Sequence, residues 1–348
     1  MDRRQFVAGA LAAASSFPGT AAAQSAPIFI GDMHFHSFFG GSTYHSRPVA
    51  KALAVGNATL VAWSLTGDLL WFDFKTFKPK SPPKSGEAFG FFQREIGRIK
   101  AHIAEQGLKI ARMPSDVDRA LRGEPHIVLA VEGANFIEND VARVRIAHGL
   151  GLRHLQLVHY TRNTIGDLQT ETPQHQGLTE LGKRVVQESN RLGILVDVAH
   201  CTEAAIRDVL SVSSRPVVCS HGSIIQQAPA APPASIWRRR QLPLDIAKEI
   251  ARSGGVVGIW TLAPDVGQTI EAYAGCMIEL TEWLGEDHVA FGTDLNGLGR
   301  AGMVQGYADV RRVIDHWKSR GTAEERLRKL AIGNYARVLK ASLQRDRA

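Results

Sequence analysis

Residues 28–36 read IFIGDMHFH, an apolar run rich in β-branched residues that ends in two histidines one residue apart. Such a run suits a buried strand, and because strand side chains alternate with period two, His34 and His36 point to the same side at its carboxyl end. The layout recurs along the chain. TLVAWSL (59–65), IVLAVE (127–132), HLQLVH (154–159), ILVDVA (194–199), PVVCSH (216–221), VVGIWT (256–261) and VAFGTD (289–294) are short apolar runs of the same kind. Between them, stretches such as 90–106, 180–192, 203–211 and 244–253 carry apolar residues at three-to-four spacing, and a closing helix is predicted near 324–342. Strands 28–34 through 289–294, each followed by a helix, predict a (β/α)8 TIM barrel, whose reactive groups gather at the strand carboxyl ends. Polar residues stand at those ends: His34 and His36, Glu132, His159, His200, His221 and Asp294. A doubly wound open sheet is the alternative, but the first βα unit lacks the Gly-x-Gly-x-x-Gly turn that would cradle a phosphate.

Composition fits one large barrel: 348 residues, 44% hydrophobic and 22% charged. The formal net charge is +7, yet only Arg238-Arg239-Arg240 forms a basic run, and no aromatics interleave with it, so no nucleic-acid partner is expected. The chain opens MDRRQFVAGALAAASSFPGTAAAQSAP, with paired arginines, a weakly apolar stretch and small residues offering a cleavage site near Ala23. This is the layout of a twin-arginine export signal over 1–23, leaving a single catalytic barrel over 24–348, a partnership with the twin-arginine machinery and a periplasmic location. The alternative, an amphipathic first helix, would need a repeating polar face that the segment lacks. No other window approaches the roughly 18 apolar residues needed to span a bilayer. Cys201, Cys219 and Cys276 cannot all pair and form no Cys-x-x-Cys pattern, which argues for reduced thiols in the barrel wall; metal ligation by Cys201 or Cys219 is the rival reading, from their closeness to His200 and His221. QQAPAAPPAS at 226–235 is too proline-rich for helix and reads as a loop.

Histidines and a glutamate converging on one barrel mouth form a donor set for two borderline-soft divalent cations, zinc first. The flanking residues form a series: GDMHFH (31–36), VEG (131–133), LVHYTRNTIGD (157–167), GLTELGKRVVQESNRLGILVDVAHC (177–201), VVCSHGS (217–223), RQLP (240–243) and FGTDLNG (291–297). In order, these resemble the signature segments of the membrane (renal) dipeptidase family over about residues 28–340. The resemblance implies that His34 and position 36 bind a first metal, that Glu132 bridges two, and that His200 and His221 complete the second. A hydroxide between the ions would then attack the amide carbonyl of a dipeptide-like substrate. By the same resemblance Asp294 moves the proton, His159 contacts the substrate carbonyl oxygen, and Arg240 holds the terminal carboxylate.

Two positions depart from that pattern. The family carries His-x-Asp after the first strand where this chain has His34-Phe35-His36, and Asn296 stands where relatives often have aspartate. An imidazole in place of a carboxylate makes the centre more positive by one unit. It also favours a rival reading, a lactonase or amidase on the same barrel. A catalytically silent barrel that binds peptide or metal is the alternative of another class, and a proton carrier such as Asp294 beside the metals argues against it. A symmetric dimer is the default expectation for assembly.

Overall fold

The computed structural model describes residues 26–37, 48–226 and 235–344. The expected export signal, 1–23, and the interior of the proline-rich loop lie outside the described residues. Eight parallel strands follow one another around the sheet: β1 (Ile30–Phe35), β2 (Ala58–Thr66), β3 (His126–Glu132), β4 (Leu152–Gln156), β5 (Leu195–Asp197), β6 (Val218–Cys219), β7 (Val256–Ile259) and β8 (Val289–Phe291). A short further strand, Lys109–Ile110, pairs with the start of β3. The ring closes through backbone bonds in which the Asp294 amide donates to the His34 carbonyl and the His36 amide to the Leu295 carbonyl, both at 3.0 Å. This is the (β/α)8 TIM barrel that the alternation of elements predicts, and every predicted strand is present.

Helices start and stop where local chemistry directs. Thr179, Thr202 and Thr269 cap the helices Glu180–Leu192, Glu203–Val212 and Ile270–Leu284 by accepting the amides of Gly182, Ala205 and Ala272. The predicted closing helix spans Glu324–Leu343, but a π-helical segment at Lys329–Gly333 interrupts it. There the chain lies so close to β1 that a Cβ on Gly31 would sit 3.0 Å from Ile332. The wider turn lets Ile332, Tyr335 and Leu339 pack with interior barrel residues Met33, Leu60, Val128, Val218 and Ala290, which stoppers the amino-terminal end. Only the opposite mouth, at the strand carboxyl ends, remains for chemistry. Among the described residues no helix is long and apolar enough to cross a membrane.

Five of the strands, β4 to β8, are shorter than predicted. The run 154–159 pairs as strand only to Gln156, and 216–221 only over Val218–Cys219. Beyond those points the backbone bonds sideways, with the Leu157 amide donating to Asp197 and the Trp260 amide to Gly222. His159 and His221 therefore sit on the bends that follow the strands.

Candidate metal centre

The Glu132 carboxylate, at the end of β3, stands at the middle of a ring of imidazoles. Its Oε1 lies 3.5 Å from His34 Nε2, 3.3 Å from His200 Nε2 and 3.5 Å from His221 Nε2. Its Oε2 lies 3.5 Å from His36 Nε2 and 3.3 Å from His159 Nε2. All these groups are buried. The structure thus brings together every histidine singled out in the sequence, each through the same ring nitrogen. Asp294 joins them, its Oδ1 3.4 Å from His36 Nε2.

This geometry fits divalent cations. His34 and His36 bring their Nε2 atoms to 3.0 Å, and His200 and His221 bring theirs to 3.2 Å. Two nitrogens bound to one tetrahedral ion at about 2.0–2.1 Å stand roughly 3.3 Å apart, so each pair is spaced as ligands are. Three overlapping donor sets have atoms within 4.8 Å of one another: His34, His36 and Asp294; His34, Glu132 and His221; Glu132, His159 and His200. His159, assigned to the substrate by resemblance, is as near Glu132 as the expected ligands are. No cysteine enters a donor set among the described residues; all three are free thiols, and burial pushes that of Cys219 up to about 12.

The opposite faces of the rings fix their tautomers. His36 Nδ1 donates to the Ser64 carbonyl at 2.9 Å, which turns its Nε2 toward the cluster. Ser220 Oγ lies 3.0 Å from His221 Nδ1 and 3.3 Å from His34 Nδ1, and Ser64 Oγ lies 3.2 Å from the latter. Burial, reinforced by neighbouring imidazoles and for His200 and His221 by Arg240, holds His34, His200 and His221 well below the usual histidine range. They are neutral donors at neutral pH. For His36 burial also pulls downward, but the Asp294 hydrogen bond and the Glu132 and Asp294 charges outweigh it and raise the ring above its usual value.

Backbone strain is concentrated here. His200, Asp294 and Asn296 adopt φ of 67°, 52° and 69°, a region that residues with side chains seldom occupy, at a cost on the order of 1–3 kcal/mol each. The His200 carbonyl is pinned by the Gln169 amide at 2.8 Å, and the Asn296 side-chain amide donates to the His36 carbonyl at 2.5 Å. The two departures from the family pattern are therefore in direct contact.

A cavity of about 250 Å³ opens onto the cluster, lined also by Phe74, Phe77, Tyr160, Trp237, Arg240, Asn296 and Leu298. Of the three adjacent arginines, only Arg240 is buried and faces it. Arg240 donates through Nε to Gln169 Oε1 at 3.3 Å and lies over the Trp260 ring at 5.2 Å. Sequence reading missed Asp68, whose Oδ1 accepts His159 Nδ1 at 2.6 Å. The signal was present: Thr66-Gly67-Asp68 follows β2, the one early strand end left without a polar residue in the sequence reading. Phe74 and Phe77, from the small hairpin of Phe72–Asp73 and Lys78–Pro79, carried no comparable signal.

Comparison with known proteins gives a family and a fold. The family described as membrane dipeptidase (peptidase family M19) matches residues 74–347, a span that begins after β1 and so leaves out His34 and His36. Dipeptidase tcpJ of Claviceps purpurea is 30% identical over 243 residues, covering 67% of this chain and 55% of that protein. Dipeptidase verJ of Clonostachys rogersoniana is 29% identical over 67% of this chain and 59% of its own length. The chain thus spans a little over half the length of these curated relatives. An amidohydrolase from Pseudomonas aeruginosa shares the fold with a TM-score of 0.72, at 20% identity, over 91% of this chain and 97% of that one. A metallopeptidase from Rhodobacter sphaeroides, solved with a phosphinate mimic of the dipeptide L-Ala-D-Ala, superposes with a TM-score of 0.70 at 21% identity, over 90% and 99% of the two chains.

Proposed function

The chain belongs to the membrane dipeptidase family, and on that premise we propose that it is a metal-dependent dipeptidase, cleaving the amide bond of a dipeptide or similarly small amide that carries a free carboxylate. The observation that carries this reading is the Glu132 carboxylate held among five converging Nε2 atoms, on a cavity whose wall presents one buried arginine. Two zinc ions suit the donor set, which is rich in imidazole and holds a carboxylate able to bridge. Ions bound there supply Lewis acidity and a water that deprotonates near neutral pH.

The side chains then divide the remaining work. Asp294, whose Oδ1 faces the cluster 3.4 Å from His36 Nε2, accepts the proton of the attacking water and returns it to the leaving amine. For His159, burial lowers the pKa, but the charges of Asp68 and Glu132 outweigh it and keep the ring protonated above its usual range. A ring that donates to Asp68 through Nδ1 can then offer Nε2–H to the developing oxyanion. Arg240 pairs with the substrate carboxylate through its planar fork. His36 favours a second reading, hydrolysis of N-acyl amino acids or lactones, because its imidazole alters the charge of the centre. The signal at 1–23 supports export to the periplasm, which cell fractionation of an Arg3→Lys, Arg4→Lys precursor tests.

The purified protein, reconstituted with zinc, should release amino acids from dipeptides, lose that activity to a chelator and regain it on metal return. Metal analysis should give two ions per chain. Hydrolysis of N-acyl amino acids or lactones with dipeptides left intact would replace this reading with the second.

A further inference from the structure

An unbroken series of aromatic rings joins the imidazole cluster to Arg240. The Phe74 ring centroid lies 6.2 Å from that of His159 and 6.3 Å from that of Tyr160. Phe77 lies 6.0 Å from Tyr160 and 5.3 Å from Trp237, in both cases edge-on. Trp237 in turn stands 6.1 Å from Trp260, over which the Arg240 guanidinium rests. Phe74, Phe77, Tyr160 and Trp237 all line the cavity.

The wall is built rather than incidental. Phe72 stacks on Tyr160 at 4.9 Å and 16°, which anchors the hairpin that carries Phe74 and Phe77. Phe77 itself has φ 52°, a left-handed conformation unusual for an aromatic residue, and it directs that ring between Tyr160 and Trp237. Strain of this kind persists only where surrounding packing holds it.

We propose that this wall selects substrates in which the residue bearing the free carboxylate has an aromatic side chain. The inference rests on the reading of the site as one for small carboxylate-bearing amides. With the carboxylate at Arg240 and the scissile carbonyl at the Glu132 cluster, the residue joining the two must lie along the rings. An aromatic side chain there gains edge-on and offset contacts and loses water from both partners, whereas a methyl group covers little of the same surface.

Calorimetry of the zinc-loaded protein with L-phenylalanine and L-alanine, which have a free carboxylate and no amide bond to cleave, reads the wall whether or not any peptide is cleaved. The expected result is binding of the phenylalanine ligand tighter on the order of tenfold. Phe77→Ala and Trp237→Ala should bring the ratio below about threefold, while Phe77→Leu, which keeps apolar bulk, should retain part of it. Equal affinities in the parent, or a ratio untouched by both truncations in folded protein, would overturn the proposal. Turnover of Gly-Phe and Gly-Ala, followed in parallel, tests the dipeptidase reading separately: a binding preference without hydrolysis of either sustains the wall and removes the peptidase.

Discussion

His159 Nδ1 donates to Asp68 Oδ1 across 2.6 Å, and the other oxygen of that carboxylate accepts the backbone amides of Tyr160 and Thr161. One buried side chain from the end of β2 therefore sets both the ring and the backbone of the bend after β4. Burial pushes the Asp68 carboxyl up, but the His159 charge and these hydrogen bonds more than compensate and hold it below its usual value. Asp68→Asn removes the charge that keeps His159 protonated. Activity should fall by roughly 10- to 100-fold, carried by kcat rather than KM, with zinc content unchanged. Loss of metal instead would make His159 a ligand, and an unchanged kcat would remove it from catalysis.

The barrel was legible because most strands are short apolar runs whose last residue changes character, as in IVLAVE ending at Glu132 and PVVCSH at His221. The donor cluster was legible for the same reason, since a closed barrel brings its strand ends to one mouth. What escaped was anything set by the loops. Phe74 and Phe77 reach the cavity through a hairpin that pairs Phe72 with Pro79 and Asp73 with Lys78, a register no periodicity announces. Arg240 was singled out by the resemblance of RQLP, and the helical turn at Arg238–Arg240 buries it and leaves Arg238 exposed.

Both oxygens of the Glu132 carboxylate lie against imidazole nitrogens. Glu132→Gln should lose at least one metal equivalent and all measurable turnover. Because ions that bind only the folded state stabilise it, chelation of the parent should lower Tm by roughly 5–10 °C, and the variant should show a smaller shift. Thermal scans with and without chelator, alongside metal analysis, check this. A variant with full metal and an unaltered chelator shift would take Glu132 out of the centre.

Ser220 ties the donor pairs together. A Cβ on Gly292 or Gly258 would come within 1.7 or 1.9 Å of the Ser220 carbonyl, so the two glycines let this backbone press inward and set its hydroxyl between His34 and His221. With both Nε2 lone pairs turned to metal, each Nδ1–H donates to that single oxygen. Ser220→Ala should weaken metal binding by roughly 10- to 100-fold with little change in Tm of the apo protein. Metal titration monitored by calorimetry decides it; unchanged affinity would mean that the Ser220 hydroxyl does not set these tautomers.

Arg240 rests on Trp260 and donates to Gln169, contacts that hold its guanidinium toward the cavity. Arg240→Ala should reduce kcat/KM for dipeptides on the order of 10²-fold while barely affecting the corresponding C-terminal amides, since only the former offer a carboxylate to the fork. Arg240→Lys should recover part of the loss, as a point charge without bidentate geometry does. Equal losses on acids and amides would assign the residue to packing.

His36 carries the clearest electrostatic signature of this chain. Its ring is raised above the usual histidine range because the Asp294 hydrogen bond and the Glu132 and Asp294 charges outweigh burial. A raised pKa means that, at a given pH, more of the metal-free protein carries a proton on His36 than an ordinary imidazole would, and that proton must leave before Nε2 can ligate. Metal binding should therefore release protons and weaken as pH falls. His36→Asp replaces this group with a carboxylate that has no proton to release and that faces Glu132 and Asp294, where like charges favour a cation. The His36 backbone is held independently by the Asn296 amide and by its own bond to the Leu295 carbonyl, so the variant should keep the fold of the mouth. Calorimetry at pH 7 in buffers of different ionisation enthalpy should show fewer protons released by the variant, together with tighter binding of the first ion. If dipeptides are the natural substrates, their hydrolysis should rise with metal occupancy. If the imidazole serves another amide, activity on that compound should fall as dipeptide hydrolysis improves. The same proton release, affinity and rates in both proteins would mean that position 36 does not touch the metal.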